Sequence, residues 1–386
     1  MDYYPSHFDY IIIGAGAAGL MLAHAMTNDE YFSEASILIL DKDQKKTNDR
    51  TWCFWEKGRG QFDQIVHKSW NHIYFEGKEL AKRYAITPYS YKMIKGLDFY
   101  EKQFETLKNK KNVTIKFEKV LDLSENDAQV SLKTTTNTYT AATVFNSIFS
   151  YAAANSQSTY PVIQQHFVGW KIKADRPVFD VDTVTYMDFS VPQKGNTRFM
   201  YVLPQSKNEA LVEYTLFSKD LLDKEVYEEA LHTYITTKLN CPNYEITDRE
   251  QGSIPMTCYD FAQHNTKRIL NIGTAGGWAK PSTGYTFMST AKKIPVLIDH
   301  LKADKPLNSL NFKNRFWYYD LLLLDVLSQN NEMGHHVFES LFNKKTPQSI
   351  LKFLDEESTF LEELSVIWGC PKWLFIKSLL LRLSKY

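Results

Sequence analysis

Tyr10 to Gly19 reads Y-I-I-I-G-A-G-A-A-G, four strand-forming residues running straight into three spaced glycines. The apolar run Tyr10 to Ile13, stopped by Gly14, has the length and composition of a buried strand. Gly14, Gly16 and Gly19 then fill the G-x-G-x-x-G pattern. Its physical logic is a tight turn, a close backbone approach to a pyrophosphate, and close packing of helix on strand. Leu20 to Met26 continues as a helix, whose free N–H groups and positive dipole end favour an anion. A second short apolar strand, Ser36 to Leu40, ends at Asp41, placed to hold a ribose hydroxyl pair. The plain alternative is a glycine-rich turn with Asp41 as a solvated strand cap. Because strand, glycines, helix, strand and acid all occur in order, the dinucleotide reading is preferred.

With 386 residues the chain is long enough for two or three domains around a large core. Lys plus Arg equals Asp plus Glu at 45 each, so no overall basic field argues for a nucleic acid partner. Cys53, Cys241, Cys258 and Cys370 are widely separated, which suits a reducing compartment and supplies no metal framework. The apolar N-terminal stretch follows Asp2 and Asp9 and is broken by glycines, so it reads as folded structure and not as a leader. No run of about 18 apolar residues marks a spanning helix.

Lys42 to Glu56, K-D-Q-K-K-T-N-D-R-T-W-C-F-W-E, reads as a polar loop that turns aromatic. Arg50 there is placed to meet a phosphate, and Trp52, Phe54 and Trp55 to form a flat wall; an aromatic core cluster under a surface arginine fits equally well. Residues 61–94 read as extended, Leu97 to Leu107 as a helix, and Val113 to Phe117, Ala128 to Leu132 and Thr138 to Ser147 as strands. From Gln165 to Thr215 the period is two, predicting an antiparallel sheet. There Leu211, Glu213 and Thr215 share one face, which places an acid inside a core strand. A helix follows over about 220–239. Lys267 to Gly273 reads as a parallel strand that runs into T-A-G-G-W-A-K-P-S-T-G-Y-T-F, a second glycine-rich strand-to-helix junction. Two such junctions suit one long cofactor. The tail from Leu310 is helical and apolar, with Lys377, Arg382 and Lys385 placed for a lipid headgroup layer; helices packed on the main body are the other reading.

Together G-A-G-A-A-G, N-D-R-T-W-C-F-W, R-F-M-Y-V-L-P with L-V-E-Y-T, N-I-G-T-A-G-G-W-A-K-P-S-T-G-Y-T-F and F-L-D-E-E-S-T resemble the lycopene cyclase family, of the bacterial β-cyclase type. They cover nearly the whole chain in the family's order. The resemblance implies an α/β fold: a Rossmann-like FAD domain of the aromatic hydroxylase and geranylgeranyl reductase type, an antiparallel substrate domain, and a C-terminal helical region. The expected division is 1–60, 95–160 and 262–305 for FAD, 61–94 and 161–261 for substrate, and 306–386 for the helices. It implies FAD held by Gly14, Gly16, Gly19 and Asp41, with Gly273, Pro281 and Gly284 at the second junction; Arg50, read from its loop, is the further cofactor contact expected. Where related hydroxylases carry Gly-Asp, this chain has Gly273-Thr274.

The family's acidic strand motif matches Leu211 to Thr215 and assigns catalysis to Glu213, with Tyr214 replacing a second acid. A carboxyl among Leu, Val and Tyr has its pKa raised by desolvation, as a proton donor at neutral pH requires; a glutamate at a wet sheet edge is the plain alternative. The resemblance further implies an isomerase-type reaction without net redox change. Reduced FAD, supplied by NAD(P)H or another donor, assists closure of lycopene ends to β-rings through γ-carotene to β-carotene. Trp52, Phe54, Trp55 and Trp278 are the candidate walls. A cytoplasmic enzyme peripherally bound to the membrane, without metal or nucleic acid, is expected. A flavin-dependent isoprenoid reductase or hydroxylase, and a non-catalytic flavin or carotenoid carrier, remain open.

Overall fold

A computed structural model describes residues 6–383. Ile11, Ile12 and Ile13 are almost fully excluded from water because their strand, His7–Ile13, is covered on both faces. It lies between Ile37–Asp41 and Thr138–Asn146, both parallel to it, with Val113–Phe117 beyond the first. Burial on both faces is what a continuous apolar run encodes. Ile269–Asn271 adds a further parallel strand, which brings the second glycine-rich junction beside the first. Val120–Glu125 and Val130–Thr134 complete this seven-stranded sheet as an antiparallel extension. Helices Ala17–Thr27, Gly96–Lys108 and Phe287–Lys302 cover one face.

The second seven-stranded sheet has Tyr244–Thr257 at one edge, followed by Val162–Ala174, Glu209–Ser218, Thr197–Pro204, Thr183–Asp188, His72–Glu76 and Ala81–Ala85. It is antiparallel as expected apart from one parallel pairing, Thr183–Asp188 with His72–Glu76. One face packs on Lys224–Thr233 and the π-helical turn Tyr234–Lys238 that prolongs it; the expected single helix changes its winding here. The other face looks toward the C-terminal helices.

Lys42 to Glu56 is not wholly a loop. Thr51–Lys57 is a strand, paired antiparallel with Tyr89–Lys95, which also takes Lys68–Trp70. Its alternating aromatic residues satisfy strand packing, and the polar residues before it hid that signal. This three-stranded sheet draws on both 1–60 and 61–94, so the two expected segments are joined through it.

The tail forms helices Arg315–Gln329, Gly334–Lys344, Pro347–Leu354, Phe360–Gly369 and Lys372–Leu383. Their starts follow the sequence signals: Thr346 caps the third before Pro347, and Thr359 and Glu362 form a capping box on the fourth. Arg382 does not face lipid. Its guanidinium is buried against Asp325, with Nε 3.0 Å from Oδ2. Lys377 is exposed, and Lys385 lies outside the described residues.

Candidate active site

A cavity of about 740 Å³ runs from the first glycine turn, past the second, to the C-terminal helices. At one end Gly14 takes a φ of +101°, which a side chain would strain, and its N–H donates to Leu40 O at 2.7 Å. A Cβ on Gly19 would fall 1.9 Å from Gly14 O, so only glycine permits this helix to sit so close to the strand. A Cβ on Gly16 would meet nothing within 4 Å, leaving the start of the Ala17–Thr27 helix open to the cavity. That helix start has no side-chain cap and no acid in its first turn. Its free N–H groups therefore offer an anion site.

Lys45, Asp49 and Arg50 line the same end. The Asp41 carboxylate closes the turn, accepting from Ala15 N at 2.6 Å and from Asp43 N at 2.8 Å. Gly273, at φ +59°, packs against Ala18, where a Cβ would come within 2.9 Å; the two glycine turns thus touch. Gly284 lines the cavity beside Gln165, whose buried Oε1 has no hydrogen-bond partner among the described residues. An open helix start, a close glycine cradle and a waiting acceptor fit a dinucleotide lying along this wall. Pro281 lies instead on a second cavity of about 470 Å³, shared with Phe54, Trp55 and Trp278. Of the four expected aromatic walls, Trp52 alone lines the main cavity, and its ring packs against Phe99 and Phe287.

The middle of the cavity is built on the second sheet. Tyr201 pairs with Glu213, Glu213 with Gly169, and Gly169 with Glu250, so these four residues form one row across four strands. A Cβ on Gly169 would lie 2.9 Å from Glu213 Cγ and 3.2 Å from Glu250 Cγ. Without a side chain between them, the two carboxyl side chains meet. Glu213 is only 8 % exposed. Burial first, then the charge and hydrogen bond of Glu250, push its carboxyl pKa well above the ordinary range. Both effects favour its neutral, protonated form. Thr51 Oγ1 donates to Glu250 Oε2 at 2.7 Å, fixing the second carboxylate.

Around this pair lies a cluster that sequence reading did not find. Tyr91 OH is 2.6 Å from Tyr201 OH and 2.7 Å from Tyr285 OH, with Tyr186 edge-on to Tyr91 at 5.6 Å. Burial keeps the phenols of Tyr91, Tyr201 and Tyr285 neutral, with pKa values well above the free value. Burial likewise pushes the Cys53 thiol up. The result is a chamber with one acid pair among aromatic rings. Beyond it the lining turns apolar: Phe338, Leu341, Ile367, Phe375 and Leu379.

Beneath the second junction, Lys280 is buried between Asp320 at 3.0 Å and Glu356 at 2.9 Å, and Lys292 holds Asp355 at 2.8 Å. The late D-E-E motif therefore ties the junction to the helical region. Among the described residues, no group of three or more His, Cys, Asp or Glu side chains is placed to hold a metal.

The fold is that of several solved structures. A geranylgeranyl bacteriochlorophyll reductase-like protein from Thermoplasma acidophilum has a TM-score of 0.62 at 10 % identity, covering 96 % of this chain and 98 % of its own. A flavoprotein/dehydrogenase from Cytophaga hutchinsonii reaches 0.64 at 12 % identity, covering 98 % and 100 %. A tryptophan halogenase from Shewanella frigidimarina reaches 0.60 at 11 % identity, covering 98 % and 95 %. The class is therefore a Rossmann-like α/β fold with a second, mostly antiparallel sheet.

Within that class the sequence pattern described as "Lycopene cyclase protein" matches residues 9–379, and the chain belongs to the lycopene cyclase family. A lycopene beta-cyclase from a Paracoccus species is 32 % identical over 138 residues. That aligned stretch spans 34 % of this chain and 35 % of the relative.

Proposed function

We propose that this chain is a lycopene β-cyclase that closes the acyclic ends of lycopene into β-rings, an isomerisation started by Glu213. The observation that carries the reading is a buried carboxyl, its pKa raised by burial, on an aromatic-lined cavity that also reaches both glycine-rich turns.

An acyclic carotene end offers no polar handle, so reaction starts by protonating carbon. Glu213 gives its proton to C2 of the end group, leaving a tertiary cation at C1. The C5–C6 double bond attacks C1, closing the ring and moving the cation to C5. Loss of the C6 proton then forms the β-ring double bond, and mass is unchanged. Water would trap the cation as an alcohol, and the packed rings of Tyr91, Tyr186, Tyr201 and Tyr285 exclude it. Their neutral π faces support positive charge. Gly14, Gly16, Gly19, Asp41, Arg50, Gly273 and Gly284 are the proposed FAD contacts, with Pro281 buttressing the second junction from behind. Held by those residues in its reduced form, with NAD(P)H or another donor as reductant, FAD would supply negative potential that favours a cation without being consumed.

Access to a water-insoluble substrate supports a peripheral place on the membrane, at the cytoplasmic side. No single helix among the described residues is long and apolar enough to cross a bilayer; Phe360–Gly369 and Lys372–Leu383 reach that length only as a pair bent by 111°. Leu361, Trp368, Trp373 and Leu380 on this pair are exposed, while Ile367, Phe375 and Leu379 of the same helices line the cavity. A lipid surface docked there would deliver hydrocarbon to the apolar mouth.

The test is anaerobic incubation with lycopene and reduced FAD, followed by chromatography and mass analysis. Ring formation at constant mass is expected. Added hydrogen or oxygen would instead identify a reductase or hydroxylase, and recovery of unchanged lycopene bound to protein would identify a carrier.

A further inference from the structure

Cyclisation consumes a proton at C2 and releases one at C6, so the cavity needs a base as well as an acid. We propose that Glu250 is that base, the carboxylate that takes the C6 proton and returns it to Glu213. This rests on reading the site as a cyclase.

Three placements support the assignment. Glu213 and Glu250 project from the second and fourth strands of one row, with Gly169 between them. Because Gly169 has no Cβ, nothing separates their Cγ atoms. In the closed ring C2 and C6 are both bonded to C1, so two touching carboxyls on one side of that ring reach both carbons without the substrate turning over.

Second, the pair is asymmetric. Glu213 is buried, whereas Glu250 stands half-buried on Tyr244–Thr257, the edge strand of the sheet. Thr51 Oγ1 donates to Glu250 at 2.7 Å. A donated hydrogen bond favours the charged form of a carboxylate. One proton shared by two adjacent carboxyls is the stable loading, since two charges so close in an apolar site repel. The more buried Glu213 is then the member that holds the proton, and Glu250 the member placed to accept one. Third, the other polar groups nearby are poor bases: Cys53, Tyr91 and Tyr201 keep their protons through burial.

The cycle balances. Glu213 loses a proton to C2, Glu250 gains one from C6 as the C5–C6 double bond forms, and Glu250 then passes it to Glu213 through their hydrogen bond. The net negative charge of the pair is the same before and after, and it faces the cation throughout.

The experiment compares Glu250→Gln, Glu250→Asp and Glu213→Gln in the FAD-loaded protein with lycopene. Glu250→Gln is expected to keep flavin, to lose about 100-fold in turnover, and to change the product. With no base at C6 the C5 cation loses a proton from C4 or from the C5 methyl group. The new ring double bond then lies outside the polyene, and absorption moves to shorter wavelength at unchanged mass. Glu250→Asp, a carboxylate set back by one methylene, is expected to recover part of the rate and give mixed rings. Glu250→Gln making only β-rings at the parental rate would overturn the proposal and leave Glu213 recycling its own proton. If Gln at 250 costs the fold, the Asp variant decides: parental rate with a single ring type overturns the assignment. Rings formed by Glu213→Gln would instead sink the cyclase reading of the acid, whatever Glu250 does.

Discussion

Tyr201 and Glu213 stand directly opposite each other on neighbouring antiparallel strands, so the phenol ring and the acid share the cavity face of the sheet. Cross-strand neighbours of this kind lie within side-chain contact. The relation separates two possible uses of the tyrosine. Tyr201→Phe keeps the ring and removes only the hydroxyl that meets Tyr91 at 2.6 Å. Tyr201→Leu removes the π face. If the ring supports the cation, Phe retains most of the turnover, while Leu loses about 1 kcal/mol of transition-state stabilisation, or about fivefold. Equal losses in both variants, measured as kcat at saturating carotene, would assign the effect to the hydroxyl network.

In the proposed mechanism, Glu213→Gln removes the proton that starts the reaction. Ring formation is expected to fall by about 100-fold or more, with flavin absorbance unchanged. The same substitution has a stability signature. The folded pKa of Glu213 is raised, so its contribution is full below the unfolded value of about 4.3 and is lost as pH rises toward the folded value. Glutamine has no proton to lose. As pH rises above about 5, the melting temperature of the parent should therefore decline more steeply than that of the variant. Parallel curves would show that Glu213 is ionised in the folded protein.

Gly169→Ala tests the gap that lets two acids meet. The added methyl would sit 2.9 Å from Glu213 Cγ and 3.2 Å from Glu250 Cγ, closer than packed carbon atoms tolerate. Forcing it in should cost about 1–3 kcal/mol of stability. It should also depress turnover by prising the carboxyls apart. Denaturant unfolding and kcat together check this; an alanine variant with parental values for both would mean that the row is looser than described.

These three positions show what the sequence displayed and what it hid. The strand, three glycines, helix and Asp41 were legible because a β-α-β unit is local: its parts lie within about 30 residues. Glu213 was legible as an acid interrupting an apolar strand face. Glu250 was not, because it lies on an edge strand where polar residues are ordinary, and its partner is 37 positions away in the chain. Gly169 gave no signal either, since its meaning depends on the strands on both sides of it. The tyrosine cluster gathers residues 91, 186, 201 and 285 from four separate segments, which periodicity in any one of them does not reveal. Trp278 and Phe54, candidate walls of the site, pack in the core beneath the first sheet. Aromatic side chains near a glycine-rich turn serve either use, and only the tertiary arrangement separates them.

Arg382 and Asp325 form a buried pair that anchors the last helix to Arg315–Gln329. Arg382 also donates to Thr159 O at 2.6 Å. Breaking such a pair leaves one charge buried without its partner, so Arg382→Met should cost about 3–5 kcal/mol. The double variant Arg382→Met with Asp325→Leu should recover much of this, because replacing both charges by apolar groups leaves nothing stranded. A double-mutant cycle by denaturant unfolding gives the coupling directly, and additive losses would contradict a buried pair.

Trp368 and Trp373 are 67 % and 73 % exposed, an unusual position for two indoles in one bent helix pair. Lys372, between them in sequence, lies with its Nζ 3.4 Å from the centre of the Trp368 ring. An indole beside an ammonium suits the boundary between hydrocarbon and headgroups, where one end is apolar and the other wet. Burying each ring in that layer is worth about 2 kcal/mol. Replacing both tryptophans by serine is therefore expected to abolish flotation with liposomes while leaving the melting temperature within about 1 °C, since neither ring packs in the core. Turnover should then divide by substrate form: normal with detergent-solubilised lycopene, and strongly reduced with lycopene in vesicles. A variant that floats like the parent would place lipid contact elsewhere. One that loses activity equally in detergent would show that the two rings serve the cavity and not the surface.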